Sequence, residues 1–295
     1  MSQNTPISNE SLQASVLVAL DGSPAAMTAV PVARALADQL QAKLDVLYVV
    51  PQGGSHLRMS TWLGTLGDIL GTSAVSEIDI HMHVGEPSAT ILRLASEPDA
   101  VLIVLTTHGR HVEPGRVLGH VAEAVVAGTI RPVVLVRPEA ACARLPVSPI
   151  RRLLLPLDGS PTTATAVQQA IVLASLLGAD VDVLYVAGQT SAKELEAGQM
   201  GLPAYIDQPQ HEWAQWNTEI VERLCRSCAQ FPPEMHTRVF LRQGDVASEI
   251  VRLAGDEQYD GIVLVRRSHL EFGRARALRI VLQNTPCLII ITGVP

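Results

Sequence analysis

The chain has 295 residues, of which 47% are hydrophobic and 17% charged, and it carries a net charge of −7. That length allows two ordinary domains or one large one. The acidic balance speaks against a nucleic-acid surface, and no apolar run reaches the ~20 residues of a membrane span. Aromatic residues make up only 3% of the sequence, so aliphatic side chains and alanine must fill the core. Cys142, Cys225, Cys228 and Cys287 do not make a secreted disulfide framework at this length, and a reducing cytoplasm is the expected compartment. The opening MSQNTPISNESLQ has neither the basic nor the apolar region of a signal peptide and is expected to be a short disordered tail.

The predicted elements begin with a strand over 15–20 that ends in Asp21-Gly22-Ser23-Pro24. Ser23 suits an N-cap and Pro24 the first helical position. A helix is expected from there to about Gln41, its apolar stripe carried by Met27, Val30, Ala33, Ala37 and Leu40. Residues 44–50 form the second strand, 51–60 a loop and 62–70 a modest helix. Residues 77–84 alternate as a third strand, Gly85-Glu86-Pro87 turns, and Ser88 is expected to cap a helix to about Ser96. Asp99 leads into a fourth strand whose apolar run, Val101–Leu105, suits burial on both faces. A glycine-punctuated loop over 106–118 and a helix through Val121, Ala122, Val125 and Val126 follow, then a fifth strand, PVVLVR, over 132–137. Strands alternating with helices demand a mostly parallel sheet covered on both faces.

The series then repeats. After a Pro- and Ala-rich linker over 139–150, the tetrad DGSP recurs at 158–161, 137 residues on from its first occurrence. Tyr48 in LDVLYVV and Tyr185 in VDVLYVA keep the same offset. At the third turn Gly85 pairs with Gly244, so the second half holds about 22 extra residues, placed near 188–210 ahead of a long helix over 211–229. Asp99 pairs with Asp260 and Pro132 with Pro286, which removes seven residues between the fourth and fifth strands of the second half. The expected organisation is a first domain over 14–138 and a second over 151–295. Each is an open five-stranded sheet, Rossmann-like, of order 3-2-1-4-5. The final apolar strands, 132–136 and 287–291, would pair antiparallel to cover both edges, making the chain an intrachain pseudo-dimer.

Ligands of such sheets bind beyond the carboxyl ends of the strands, where the strand order reverses. That crevice lies between the first and fourth strands, so Asp21 and the glycine loop converge there. A carboxylate that accepts from a hydroxyl or amine, opposite backbone N–H groups at a helix start, suits a nucleoside phosphate. Gly109 and Gly119 are the points where backbone can approach a phosphate. The alternative is a plain strand–helix connection whose glycines serve only the turn. Neither GxGxxG nor a P-loop is present. His108, His111 and His120 invite a metal reading that ranks below the anion reading. His81 and His83 share one face of a strand, too few ligands for a metal site on their own. The CxxC of Cys225 and Cys228 falls in a helical pattern with no second pair. No nucleophile–base arrangement stands out, and Trp213 and Trp216 read as packing anchors.

These residues resemble the universal stress proteins, here as a tandem pair. The resemblance rests on the strand–DGSP–helix opening of each half, LYVV and LYVA, GEPSATILRLA, and THGR followed by PVVLV. It implies a cytoplasmic stress-response regulator that binds ATP, or AMP or another adenine nucleotide, in its first half. The family's ATP-binding members share Gly-x2-Gly-x9-Gly-(Ser/Thr), which falls here on Thr106, Gly109, Gly119 and His120. Thr106 replaces the first glycine and narrows the pocket. His120 replaces the hydroxyl residue and can donate from a ring nitrogen. By resemblance Ala19, Asp21 and Val49 line the adenosine end, while the loop from Gly109 through Gly119 and His120 holds the phosphates. In the second half the frame reads Arg267, Leu270, Gly273 and Arg274, a degenerate site, although Asp158 and Val186 remain. Slow ATP hydrolysis is the most the loop would support. The rival function is an interaction protein with vestigial crevices in both halves. Protein partners are unspecified, a homodimer is left open, and neither nucleic acid nor membrane is expected.

Overall fold

The computed structural model describes residues 14–50, 59–70, 77–109, 116–138, 149–157, 163–188, 222, 226, 229–266 and 276–293. The first half contributes β1 (Ser15–Leu20), β2 (Lys43–Val50), β3 (Ile78–Val84), β4 (Ala100–Thr106) and β5 (Val133–Val136). The second contributes β6 (Arg152–Leu157), β7 (Asp180–Gly188), β8 (Val239–Gly244), β9 (Gly261–Arg266) and β10 (Leu288–Gly293). All ten strands join one sheet in the order β3-β2-β1-β4-β5-β10-β9-β6-β7-β8. Each half thus shows the expected order 3-2-1-4-5. Pairing is parallel within each half, and the junction is antiparallel, with Ile289 opposite Leu135, Ile290 opposite Val134 and Ile291 opposite Val133.

Helices cover both faces, as parallel strands require. Alpha-helices α1 (Pro24–Met27), α2 (Ala29–Leu40) and α3 (Met59–Leu70) lie on one face with α6 (Thr163–Leu177). On the other lie α4 (Pro87–Ala95), α5 (His120–Gly128), α7 (Val246–Asp256) and α8 (Arg276–Asn284). A single core runs under α2 and α6 and includes residues from both halves, from Val16 and Leu36 to Leu153 and Leu173. Gln39 fastens α2 to the second half. Its amide donates to the carbonyls of Ile150 (2.8 Å) and Leu177 (2.6 Å), and its Oε1 accepts the Ile150 N–H at 2.9 Å.

Three local expectations need correction. The helix after Ser23 is two segments. Ser23 caps α1, its side chain accepting the Ala26 N–H, but the helix pauses at Thr28, whose hydroxyl donates to the Ala25 carbonyl at 2.6 Å. The cap of α4 is Glu86, not Ser88: the Glu86 carboxylate takes the Ser88 and Ala89 N–H groups. Pro87 at the first helical position fixes the cap one residue before it. The helix α3 begins at Met59, inside the stretch expected to be loop. The second DGSP, the frame at 267–274 and most of the long helix at 211–229 lie outside the described residues.

At the amino-terminal edge of the second half a buried charge network ties three strands and a turn together. Asp182, 5% exposed, accepts from the Arg238 backbone N–H (2.8 Å) and Nη2 (2.8 Å), from Arg152 Nη2 (3.1 Å) and from the Tyr259 hydroxyl (2.6 Å). Burial, then the adjoining carboxylate, holds the Tyr259 phenol far above its usual range. Arg152 also lies 4.8 Å over the Tyr259 ring.

Two outcomes are expected. Proline at Ile289 removes a ladder bond at the junction, and proline at Val134 one between β5 and β4 beside it. Either leaves a buried carbonyl unpaired and destabilises the whole chain by about 2–4 kcal/mol in one denaturation transition. Loss of the transition of one half alone would show that the halves fold independently. Asp182→Ala is expected to lower stability by about 1–3 kcal/mol in urea titration, because the half-exposed arginines can turn to water and the buried Tyr259 hydroxyl cannot.

Candidate functional site

The parallel strands deliver their carboxyl ends to one side of the sheet, and the order reverses between β1 and β4. A cavity of about 320 Å3 opens there, a size within the range of small-molecule sites. All seven residues singled out from sequence line it: Ala19 and Asp21 after β1, Val49 on β2, Thr106 ending β4, and Gly109, Gly119 and His120 around the loop. Pro87 and Ile91 of α4, Leu105 and Thr107 of the β4 end, and Val121 and Ala122 of α5 complete much of the wall. The sequence marked none of these additions as site residues. Ile91 and Ala122 belong to apolar helix stripes, which read as core, and only the packing of α4 beside α5 turns them toward the crevice.

The DGSP turn and the glycine loop fit one another closely. Asp21 Oδ1 accepts the Ser23 N–H at 2.9 Å, which holds the carboxylate at the mouth of the turn. A Cβ placed on Gly109 would lie 2.4 Å from Asp21 Oδ2. Only glycine lets the loop backbone pass against that carboxylate. Thr106 is buried, at 9% exposed, and Thr107 more so, at 2%.

His108 secures the two arms of the loop. A carbonyl can only accept, so Nε2 donates to the Arg116 carbonyl at 3.2 Å and Nδ1 then accepts from the Thr107 hydroxyl, also at 3.2 Å. With both ring nitrogens engaged, His108 is unsuited to metal binding, and His111 lies outside the described residues. The Thr107 carbonyl takes the Gly119 N–H at 2.8 Å. Gly119 is the N-cap of α5 and offers no side chain to the helix start. The first turn of a helix leaves N–H groups without intrahelical partners, and His120, Val121 and Ala122 of that turn line the cavity. That end of the crevice favours an anion. Arg116 Nη2 bonds Glu123 Oε2 at 2.6 Å and braces the returning loop against α5.

The cavity lining therefore combines two chemically distinct surfaces. One is apolar, made by Ala19, Val49, Ile91 and Leu105, and the Asp21 carboxylate lies against Gly109 of the loop. The other presents loop and helix backbone. Cys287, the free cysteine among the described residues, stands elsewhere, its thiol pushed up to about 11 by burial. No helix among the described residues is long and apolar enough to cross a membrane.

Comparison with known proteins gives a consistent result. The family model described as "Universal stress protein family" matches residues 70–137 and 149–291, well over half of the chain. A comparison with curated sequences returned no match. Among solved structures, a universal stress protein from Archaeoglobus fulgidus DSM 4304 superposes with a TM-score of 0.61 at 13% identity, covering 95% of this chain and 98% of that one. A Pseudomonas aeruginosa UCBPP-PA14 protein, assigned to the same group, gives 0.59 at 15% identity over 95% of this chain and 93% of its own. At these identities the likeness is one of fold.

Gly109→Ala is expected to force the Asp21 carboxylate off the Ser23 N–H and lower stability by about 1 kcal/mol. At Gly119 a Cβ meets its nearest neighbour, the Thr107 carbonyl, at an ordinary 3.6 Å, so Gly119→Ala should clash with nothing. Thermal melts of the two variants, with a crystal structure of the first, check the contrast; an unmoved Asp21 in Gly109→Ala would refute it.

Proposed function

Because the chain belongs to the universal stress protein family, we propose that it is a cytoplasmic stress-response regulator whose first half binds ATP, or AMP or another adenine nucleotide, in the crevice between β1 and β4. One observation carries this reading. Seven residues from four separate segments line one cavity whose wall combines apolar side chains, a carboxylate and the backbone of a glycine loop and helix start. Ala19 and Val49 take the adenine side, and Asp21 accepts from a ribose hydroxyl or the base amine. The phosphates lie along Gly109, Gly119 and His120, with the N-terminus of α5 behind them. Thr106, at the floor, sets how deeply the nucleoside sits.

The family domains are taken as 14–138 and 151–295, joined by 139–150. No side chain is assigned as a general base, since Asp21 already accepts the Ser23 N–H. The site binds, with slow ATP hydrolysis as its upper limit. In the second half the sequence frame is seven residues shorter and carries Leu270 in place of Gly109, a replacement of glycine by a bulky residue that disfavours phosphate binding. The nearby Arg266 is turned away to the first half, where Nη2 donates to the Thr129 carbonyl at 3.0 Å. One nucleotide per chain is the expected stoichiometry.

Calorimetric titration of the full chain with ATP and AMP tests this. One equivalent should bind, Gly119→Leu should abolish binding, and Asp158→Ala should change affinity less than twofold. No heat at millimolar nucleotide would overturn the nucleotide reading in favour of an interaction protein. A stoichiometry of two would overturn the asymmetry alone.

A further inference from the structure

The opposite edge of the first half, where β2 and β3 begin, holds a second cluster. Asp45 and Asp79 sit opposite one another on β2 and β3, and His81 follows two residues on, opposite Leu47. The alternation of a strand puts Asp79 and His81 on the same face. His81 Nε2 lies 3.1 Å from Asp45 Oδ1, and one ligand atom from each of the three falls within 4.8 Å of the others. Asp45 is buried, at 8% exposed. Lys43 Nζ reaches Asp45 and Asp79 at 3.4 Å each and Asp99 at 3.8 Å. A small cavity of about 50 Å3 adjoins these groups and is also lined by Glu97 and Asp99.

The internal repeat supplies an independent comparison. Asp182 stands in the second half where Asp45 stands in the first, 137 residues apart. By strand register Arg152 takes the place of Ser15, Arg238 that of Asp79 and Phe240 that of His81. The buried carboxylate of the second half is thus neutralised by two guanidinium groups. In the first half one of those positions carries another carboxylate and its neighbour an imidazole. Three carboxylates converge there on one ammonium, which leaves negative charge uncompensated beside a ring nitrogen.

We propose that Asp45, Asp79 and His81 form a divalent-cation site of the zinc class, with Lys43 as the tethered cation that the metal displaces. Two carboxylate oxygens and one imidazole nitrogen at this spacing surround a point that small side-chain rotations bring within the ~2.0–2.2 Å of zinc ligation. Imidazole selects a transition metal over magnesium or calcium. The fourth position, toward the small cavity, takes water. Lysine is suited to the exchange, since its flexible stem lets the ammonium swing to Asp99 and Glu97 while staying charged. An arginine fork bonded as in the second half would not yield. The site lies at the far end of the strands from the crevice, so its test is independent of the nucleotide reading.

The experiment is titration of metal-stripped full chain with Co2+, read by its visible absorption, and with Zn2+ by competition calorimetry. Wild type should bind one equivalent with a low-coordinate cobalt band. His81→Ala should weaken binding at least tenfold, and so should Asp79→Asn, a half-exposed change that leaves the fold intact. Lys43→Met, which removes the competing cation, should tighten binding at least tenfold and enlarge the zinc-dependent rise in Tm. Absence of binding at ~10⁻⁴ M metal in both wild type and Lys43→Met would overturn the site. So would binding that survives both His81→Ala and Asp79→Asn unchanged. Equal affinity in wild type and Lys43→Met would overturn the displacement.

Discussion

Each half of the chain ends in a short apolar strand that its own sheet leaves at an edge, and the molecule is built around covering those two edges with one another. The four residues of β5 are all buried and reach at most 2% exposure. Left open, such an edge would template pairing with another chain. Antiparallel pairing with β10 closes it and continues both cores across the junction. Val134, Val136, Leu288 and Ile290 enter the core under α2 and α6, while Val133, Leu135, Ile289 and Ile291 enter the core under α4, α5 and α8. Two arginines reinforce the seam reciprocally. Arg137 donates to the Gln283 carbonyl at the end of α8 and Arg266 to the Thr129 carbonyl just after α5. Those carbonyls are equivalent in the two halves. A Cβ on Gly293 would fall 2.9 Å from both Arg266 Nη2 and the Thr129 oxygen, so the second contact depends on glycine.

Local and repetitive signals made most of this fold legible. Apolar runs of strand length, a glycine-bearing turn after each and a DGSP tetrad repeated at a fixed offset identify two copies of one unit. The handedness and pairing rules of parallel sheets then leave few arrangements. What local reading missed was decided by competition between neighbours. At Glu86-Pro87-Ser88 serine is the better capping residue by preference, but proline settles the helix start and hands the cap to glutamate. At Thr28 the hydroxyl bonds back to Ala25 and breaks a stripe that reads as continuous. In the crevice, Ala19, Asp21, Val49, Thr106, Gly109, Gly119 and His120 were accessible from sequence, because topology sends those positions to the switch point. Leu105, at the same strand end, reads as part of the buried run, and Thr107 as plain loop. Pro87 and Ile91 come from a helix whose tilt the sequence does not encode.

The repeat also shows how one scaffold carries different chemistry on equivalent positions. The frameworks agree strand for strand, yet the amino-terminal edges differ where Ser15, Asp79 and His81 face Arg152, Arg238 and Phe240. In the second half the exchange produces a saturated network. Asp182 is bonded on both oxygens, the arginines are shared with Glu257 at 3.0 and 3.5 Å, and rings cover both guanidinium groups. Such a network fixes register between β6, β7 and β8 through charge, where the first half relies on a flexible lysine. A network shared among two arginines, Asp182 and Glu257 in one half and a lysine among three carboxylates in the other follow from a handful of substitutions that leave the strand pattern untouched.

The crevice itself owes its shape to one steric condition, the passage of the Gly109 backbone against the Asp21 carboxylate. Asp21 is fixed by the turn that follows it, and that turn is fixed by the Ser23 cap of α1. The loop is fixed from its other side by His108 and by the Gly119–Thr107 bond. Two independently anchored loops therefore meet where a Cβ at 109 would displace the Asp21 carboxylate, and the cavity adjoins their contact. One wall ends in an acceptor-only carboxylate and the other in backbone donors at a helix start. The lining thus pairs an acceptor with the start of a helix. Ala19, Val49, Ile91 and Leu105 add an apolar surface to the same lining. Strand topology brings these groups to one crevice, because β1 and β4 both end where the strand order reverses.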